Sequence, residues 1–274
     1  MIHPTAVIDP RAQLGAGVSV APYSVIGPDV RVGDDTEIGA HVVLEGRVAI
    51  GARCRIGHGA VVGGAPQDFK YRSGTPVGVV IGDDTIIREH VTIHRATRAD
   101  TDTRVGRHCL LMVSSHVAHD CVLGDHVILI NYAGLTGHVV VGDRATIGGL
   151  SGIHPFARVG AYAYVGGCSK VHQDIPPFVT VDGNPAVARA VNVIGMRRGG
   201  MDPAARRAVQ TAFRTLYRSR LSPAAAVARL RAETAAHVLV AEMIAFIETS
   251  KLGIVGRAKR RAAPAGAEVE EPIL

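Results

Sequence analysis

In blocks of six, residues 105–171 read VGRHCL LMVSSH VAHDCV LGDHVI LINYAG LTGHVV VGDRAT IGGLSG IHPFAR VGAYAY VGGCSK V. Every block opens on Val, Leu or Ile, and four places later stands a small side chain such as Cys109, Ala133 or Ser151. A period of six is a multiple of the two-residue alternation of a strand and fits no helical stripe. Working back from this stretch, the same step meets Ala99 and then Ile93, Ile87 and Ile81. Before an interruption it runs without a miss from Ile2 through Ile8, Leu14, Val20, Ile26 and Val32 to Val62. Such self-similarity marks a solenoid of short strands. Three hexads per triangular coil give a coil of eighteen residues, in which each aliphatic points inward and stacks on its counterpart eighteen residues away, ~4.8 Å along the axis. Glycine after the aliphatic, as in Leu14-Gly15, Ile26-Gly27 and Val32-Gly33, is expected to supply positive φ at the corners.

The composition agrees with a narrow prism. The 274 residues include 32 Gly, 5 Phe, 6 Tyr and no Trp, yet 47% are hydrophobic, so the interior is aliphatic. With 20% charged residues and no three-residue glycine period the chain is neither disordered nor collagenous. No apolar run reaches the ~18 residues of a bilayer span. The opening Met-Ile-His-Pro has no basic stretch or hydrophobic segment of a secretory signal, which predicts a cytoplasmic protein without stable membrane insertion.

Two stretches break the repeat, Gly63–Val80, out of phase by one residue, and the polar Arg95–Arg104, which stays in phase. Both read as loops thrown out from the coil, where repeat proteins place function. The repeat ends near Asp174-Ile175-Pro176-Pro177, and the β-solenoid is taken to span 1–190. Asp202-Pro203 and Ser222-Pro223 each pair a cap with an N1 proline. They open expected helices over roughly 203–219 and 223–251, within a small α-helical domain at 191–256 that precedes a flexible tail at 257–274. Residues 196–261 hold 14 Lys plus Arg against 4 Asp plus Glu, whereas residues 1–195 hold 16 against 17. The basic helical segment therefore suits an acidic or phosphorylated partner. Nucleic acid is disfavoured because aromatics for base stacking are sparse there.

Cys54, Cys109 and Cys121 each fall four residues after a repeat aliphatic and read as buried free thiols, while Cys168 breaks the phase and has no assigned role. Folded modulo 18, His90, His108 and His126 form one outward column, read as a solvated or subunit-facing ladder, since metal ligands converge instead of standing in parallel. No metal site is expected. His154 and His172 share another column. The same arithmetic places His119-Asp120 directly below Gly137-His138. An imidazole beside a carboxylate is a general base for a hydroxyl, and the N–H of a side-chain-free Gly137 is a candidate oxyanion donor. No Ser or Cys nucleophile stands near this cluster, which favours direct transfer.

The motifs PQDFKY (66–71), VTIHR (91–95), HVAHDC (116–121), TGHVVVGD (136–143), IGGLSGIH (147–154), VGGCS (165–169), DGNPA (182–186) and NVIGMRRGG (192–200) together resemble the UDP-N-acetylglucosamine O-acyltransferases of lipid A biosynthesis, over essentially the whole chain. The resemblance implies a left-handed parallel β-helix of hexapeptide repeats followed by a small α-helical C-terminal domain. It implies a homotrimer with sites between prisms and transfer of an (R)-3-hydroxyacyl group from acyl carrier protein to the glucosamine 3-OH of a UDP-sugar. No cofactor is implied beyond the phosphopantetheine of the carrier. By motif, His119 is the general base, Asp120 its orienter and Gly137 the oxyanion amide. Gln67, Asp68 and Lys70 contact sugar and acyl donor; His116, His138 and His154 line the cleft; Asn192, Arg197 and Arg198 meet nucleotide or phosphate. Gly167 and Pro185 occupy positions that govern acyl-chain length. Pro155, Ile194 and Pro185 depart from the commoner residues of the family. A 3-amino sugar acceptor, a zinc-dependent trimeric hexapeptide-repeat carbonic anhydrase using His90 and His116, and a non-catalytic scaffold are the alternatives.

Overall fold

A computed structural model describes residues 1–234 and 237–256. The hexads fold into two-to-six-residue strands in three sheets that wall a triangular prism. The first face has nine strands, from Val7–Ile8 to Lys170–Val171; the second has eight, from Gln13–Leu14 to Arg158–Val159. The third has ten, from Ser19–Val20 to Ala186–Val191, and all but the closing pair are parallel. The regular pairing is one coil up, as in Val7 with Val25 and Leu135 with Ile153. The repeat aliphatics fill the interior: Val62, Ile93, Leu111, Leu129, Ile147 and Val165 are completely enclosed. Cys54, Cys109 and Cys121 lie among them as free thiols, and Cys168 is exposed.

The corners are built differently from the sequence expectation. Positive φ falls mainly on non-glycine residues, including Asp35, His41, His90, Asp120, His138, Leu150 and Cys168. The cost of a left-handed side chain there is offset by an N–H bonded to the coil below, as from His41 to the Pro22 carbonyl at 3.0 Å. The glycine after the aliphatic serves close approach instead. A Cβ on Gly33 would stand 2.7 Å from the backbone of Gly51 and Ala52.

Both interruptions leave the prism at one edge, between the first and second faces. The first loop spans 65–77, between the strands Val61–Gly64 and Gly78–Ile81, and is shorter than expected at both ends. The second spans 95–101, because Asp102–Arg104 already belong to the strand that continues to Val105. Its coil is 24 residues, one whole hexad longer than the regular 18. That is why the sequence period passed through Ala99 undisturbed, although Ala99 is exposed and outside the interior. The extra hexad also rotates everything after it by one edge. His90 therefore stacks below Ser114, and His108 above Asp84, so the expected single column of His90, His108 and His126 is divided between two edges. His108 and His126 do stack, at 4.9 Å.

Beyond Val191 come α1 (Val193–Arg198), α2 (Pro203–Tyr217), α3 (Pro223–Thr234) and α4 (Val238–Glu248). Asp202 caps α2 through the Ala205 N–H at 2.8 Å. The one helix expected over 223–251 is two, because folding back lets Val240, Met243 and Ile244 join Val227 and Leu230 in a common core with Val209 and Phe213. Arg158 ties this unit to the prism, its guanidinium 4.0 Å over the Phe246 ring and bonded to the Thr249 carbonyl at 3.1 Å. The tail expected at 257–274 lies outside the described residues. None of the described helices is long and apolar enough to cross a membrane.

Candidate active site

The chain runs along the first face as His116–Val117, turns through Ala118, His119 and Asp120 at the loop-bearing edge, and enters the second face at Val122–Leu123. Asp120 occupies the corner with φ +59°, and its N–H donates to the buried Thr103 hydroxyl at 2.9 Å. Thr97, from the extra hexad, donates its hydroxyl to Asp120 Oδ2 at 2.7 Å and its N–H to both carboxylate oxygens at 3.2 Å. His119 Nδ1 lies 2.8 Å from Asp120 Oδ2. Burial works to raise the Asp120 pKa, but the hydrogen bonds from Thr97 and His119 outweigh it and hold the group below its ordinary value. With Nδ1–H given to a fixed carboxylate, the lone pair of His119 is on Nε2.

The coil above supplies Gly137 and His138, as the modulo-18 reading requires. The His138 N–H donates to the His119 carbonyl at 3.0 Å. Gly137 has φ +114°, and a Cβ there would stand 3.1 Å from His119 Nε2 and Cε1. Glycine thus keeps the Nε2 side of the imidazole open. The Gly137 N–H donates to no backbone carbonyl among the described residues. Burial pushes the pKa of the nearby Cys121 thiol up to about 11. His138 Nε2 is 3.6 Å from Asp120 Oδ2, and its ring lies flat on Phe156 at 4.5 Å. Burial lowers the His138 pKa, with Asp120 opposing.

His116 points outward from the first face, its Nδ1 2.6 Å from the Thr92 hydroxyl and its ring edge-on to His94 at 4.8 Å. Burial, assisted by His94, pushes its pKa down to about 4. His94, half-buried with Nδ1 unpartnered, stands inside VTIHR but had no assigned role. His154 lies higher on the same edge, bonded through Nδ1 to the Pro155 carbonyl at 3.0 Å and beside His172 at 5.8 Å. The 65–77 loop carries Gln67, Asp68 and Lys70 on a turn closed by the Lys70 N–H to Asp68 Oδ1 at 2.8 Å. The loop leaves the prism at the edge between the first and second faces, the edge that also carries His119 and Asp120.

Other assigned residues stand apart. Gly167 is exposed at the edge between the third and first faces, and the Asn184-Pro185 turn lies above it, where the Gly183 N–H meets Ser169 Oγ at 3.1 Å. Asn192 caps α1, accepting from the Gly195 N–H at 2.9 Å and donating to the Tyr162 carbonyl at 2.8 Å. Arg197 shares a recess with Arg206, Arg207 and Gln210 that Arg198 does not enter. The sequence reading overlooked a strip between the two edges. Pairing aligns His116, Gly134, Gly152 and Lys170 along the outside of the first face, and a Cβ on either glycine would meet nothing within 4 Å. Tyr132 and Leu150, both exposed, flank it. Adding 18 twice to His116 would have found it.

One donor atom each from His119, Asp120 and His138 lies within 4.8 Å of the others, a spacing a cation also accepts. Likeness to known proteins points elsewhere. Residues 174–255 match the family model described as UDP N-acetylglucosamine O-acyltransferase, domain 2, and residues 29–64 match the bacterial transferase hexapeptide model. The chain is 44% identical over 255 residues to an acyl-[acyl-carrier-protein]–UDP-N-acetylglucosamine O-acyltransferase of Stutzerimonas stutzeri, covering 93% of this chain and 98% of that one. It is 45% identical over 259 residues to the protein of the same name from Paraburkholderia phytofirmans, with the same coverage. Among solved structures, LpxA from Acinetobacter baumannii superposes with a TM-score of 0.88 at 39% identity, over 93% of this chain and 99% of that one. The UDP-N-acetylglucosamine acyltransferase of Bacteroides fragilis gives 0.90 at 35%, over 93% and 100%. Neither the zinc enzyme nor the 3-amino-sugar alternative is favoured by this likeness. With its prism, its helical cap and its length all shared with these proteins, the chain belongs to the acyl-[acyl-carrier-protein]–UDP-N-acetylglucosamine O-acyltransferase family.

Proposed function

We propose that this chain transfers an (R)-3-hydroxyacyl group from acyl carrier protein to the glucosamine 3-OH of UDP-N-acetylglucosamine, the opening acylation of lipid A synthesis, in the cytoplasm. The observation that carries the mechanism is the His119 Nδ1–Asp120 bond of 2.8 Å beside a residue without a side chain. It leaves Nε2 as base at an open edge. His119 takes the 3-hydroxyl proton as that oxygen attacks the thioester carbonyl. The tetrahedral oxyanion is held by the Gly137 N–H, it collapses to the ester as the C–S bond breaks, and the imidazolium gives its proton to the departing thiolate. No acyl-enzyme and no resident cofactor or metal is required. Asp120, pinned by Thr97, stabilises the imidazolium.

The glycine-floored strip leads from His116 toward the turn of Gly167, which supports an acyl chain lying on the first face with Gly167 and Pro185 near its end. That face is open and carries exposed Val7 and Val25 at its lower end. A second copy that covers it, in a homotrimer, would enclose the chain. Gln67, Asp68 and Lys70 close over the sugar, His138 and His154 line the cleft, and Arg197 and Arg198 take nucleotide phosphate by charge-assisted bonds. Supplying hydroxyacyl carrier proteins of several lengths with UDP-N-acetylglucosamine, and weighing the product, tests the reaction. His119→Ala is expected to lower turnover by roughly 10²–10⁴ with the fold intact. Unchanged turnover would falsify the general-base assignment.

A further inference from the structure

Beneath the 65–77 loop, against the second face, lies a cavity of about 850 Å³ that contains none of the residues assigned to acyl transfer. Its lining is basic. Arg11, Arg31, Arg47 and Arg95 line it together with Asp29 and Asp102, and Tyr71 and Ser73 form part of the loop-side wall. The four arginines differ in what holds them. Arg11 is paired with Asp9 at 3.2 Å, outside the lining. Arg47 is oriented by Asp102 at 2.7 Å, a carboxylate that also binds Arg104 at 3.0 Å. Arg31 and Arg95 pair with no carboxylate among the described residues.

Arg95 is nevertheless held in place. Gly46 has φ +68°, and the space its Cβ would occupy is filled by the Arg95 guanidinium. A half-buried cation fixed by shape, paired with no carboxylate among the described residues, leaves a charge open to an anionic ligand. Arg31 and Arg47 come from adjacent strands of the second face, and Arg95 from the edge above them. Their convergence matches the demand of a tetrahedral dianion for several forked donors.

We propose that this cavity is a second anion site, taking a phosphate monoester or free phosphate, and that its occupant fastens the 65–77 loop to the prism. The proposal stands apart from the acyl-transfer reading, since the loop lines this cavity with Tyr71 and Ser73 and not with Gln67, Asp68 or Lys70. Occupancy would couple the posture of those three residues to a phosphorylated small molecule. The Tyr71 ring on the loop wall offers a surface for the organic part of an ester.

The loop provides its own readout, because Lys70 and Arg72 are exposed tryptic sites. In the native assembly of an Arg197→Ala/Arg198→Ala variant, which removes the other expected phosphate contacts, inorganic phosphate or phenyl phosphate is titrated while trypsin cleavage after Lys70 and Arg72 is timed. Saturable protection of roughly fivefold or more, with binding weakened about tenfold or more by Arg31→Glu, is the expected result. Tighter binding of phenyl phosphate identifies an ester as the occupant, and equal affinity identifies free phosphate. Cleavage rates independent of either probe, or protection that Arg31→Glu leaves unchanged, overturn the site. Arg31 touches nothing in the transfer machinery, so turnover of Arg31→Glu in phosphate-free buffer is expected to equal that of the parent.

Discussion

At the scale of single residues, the chemistry depends on how a carboxylate is spent. Asp120 accepts from His119 and twice from Thr97, and its own N–H is taken by Thr103. Thr97 bonds the Asp120 carboxylate through both its N–H and its hydroxyl, which makes it a positioning residue. Thr97→Val is therefore expected to lower kcat roughly tenfold by loosening the carboxylate, with KM little changed. Thr97→Ser is expected to restore most of the loss, and an undiminished kcat in Thr97→Val counts against this positioning role. His116 gives a prediction in pH. Its folded pKa of about 4 lies below the ordinary 6.5, so as the pH falls below 6.5 the unfolded chain takes up a proton that the native chain refuses. Stability from this group is complete above 6.5, declines between 6.5 and about 4, and then levels off. The fall in Tm from pH 7 to pH 5 is expected to be smaller in His116→Gln than in the parent, measured by calorimetry.

At the scale of elements, one added hexad does two things. It supplies Thr97 to the dyad, and it shifts every later histidine by one edge of the prism. The polar stretch marked a loop there, but because six residues equal one side of the triangle the repeat stayed in phase and hid the lengthening of the coil by a hexad, which is why Ala99 and the His90 column were misplaced by periodicity. The 65–77 insertion breaks phase and was visible at once. The strip of Gly134 and Gly152 belongs to this scale too. Filling it with Gly152→Leu is expected to shift preference toward shorter acyl groups by tenfold or more in relative kcat/KM, since overpacking costs ~1–3 kcal/mol. A chain-length profile identical to the parent's would remove the strip from the acyl path.

Over the whole molecule, charge and apolar surface are segregated. The prism is nearly neutral and the helical unit basic, with Arg206 and Arg207 beside Arg197 at the start of α2. An acidic carrier protein approaching that end would be steered by the field. Arg206→Glu/Arg207→Glu is expected to raise the KM for acyl carrier protein roughly tenfold at low salt and to flatten its salt dependence, while the KM for the sugar nucleotide changes less. Equal KM values and salt slopes would place carrier docking elsewhere. Native mass measurement of the assembly checks the trimer.

The order of residues dictates the prism, because a six-residue aliphatic period admits one economical packing in which every branched side chain stacks on its like. It also determined the neighbourhood of His119-Asp120 and Gly137-His138, since both lie after the last insertion and the 18-residue coil is unbroken between them. Contacts made in the folded chain set which edge each histidine occupies below that point, what pins Asp120, that Asn192 is a cap, and that Arg197 and Arg198 part company on α1. These depend on insertion length counted against the triangle and on contacts between coils. The physical reason is that a local period records what faces inward, whereas the partners of outward groups are set by how many residues the chain spends between coils.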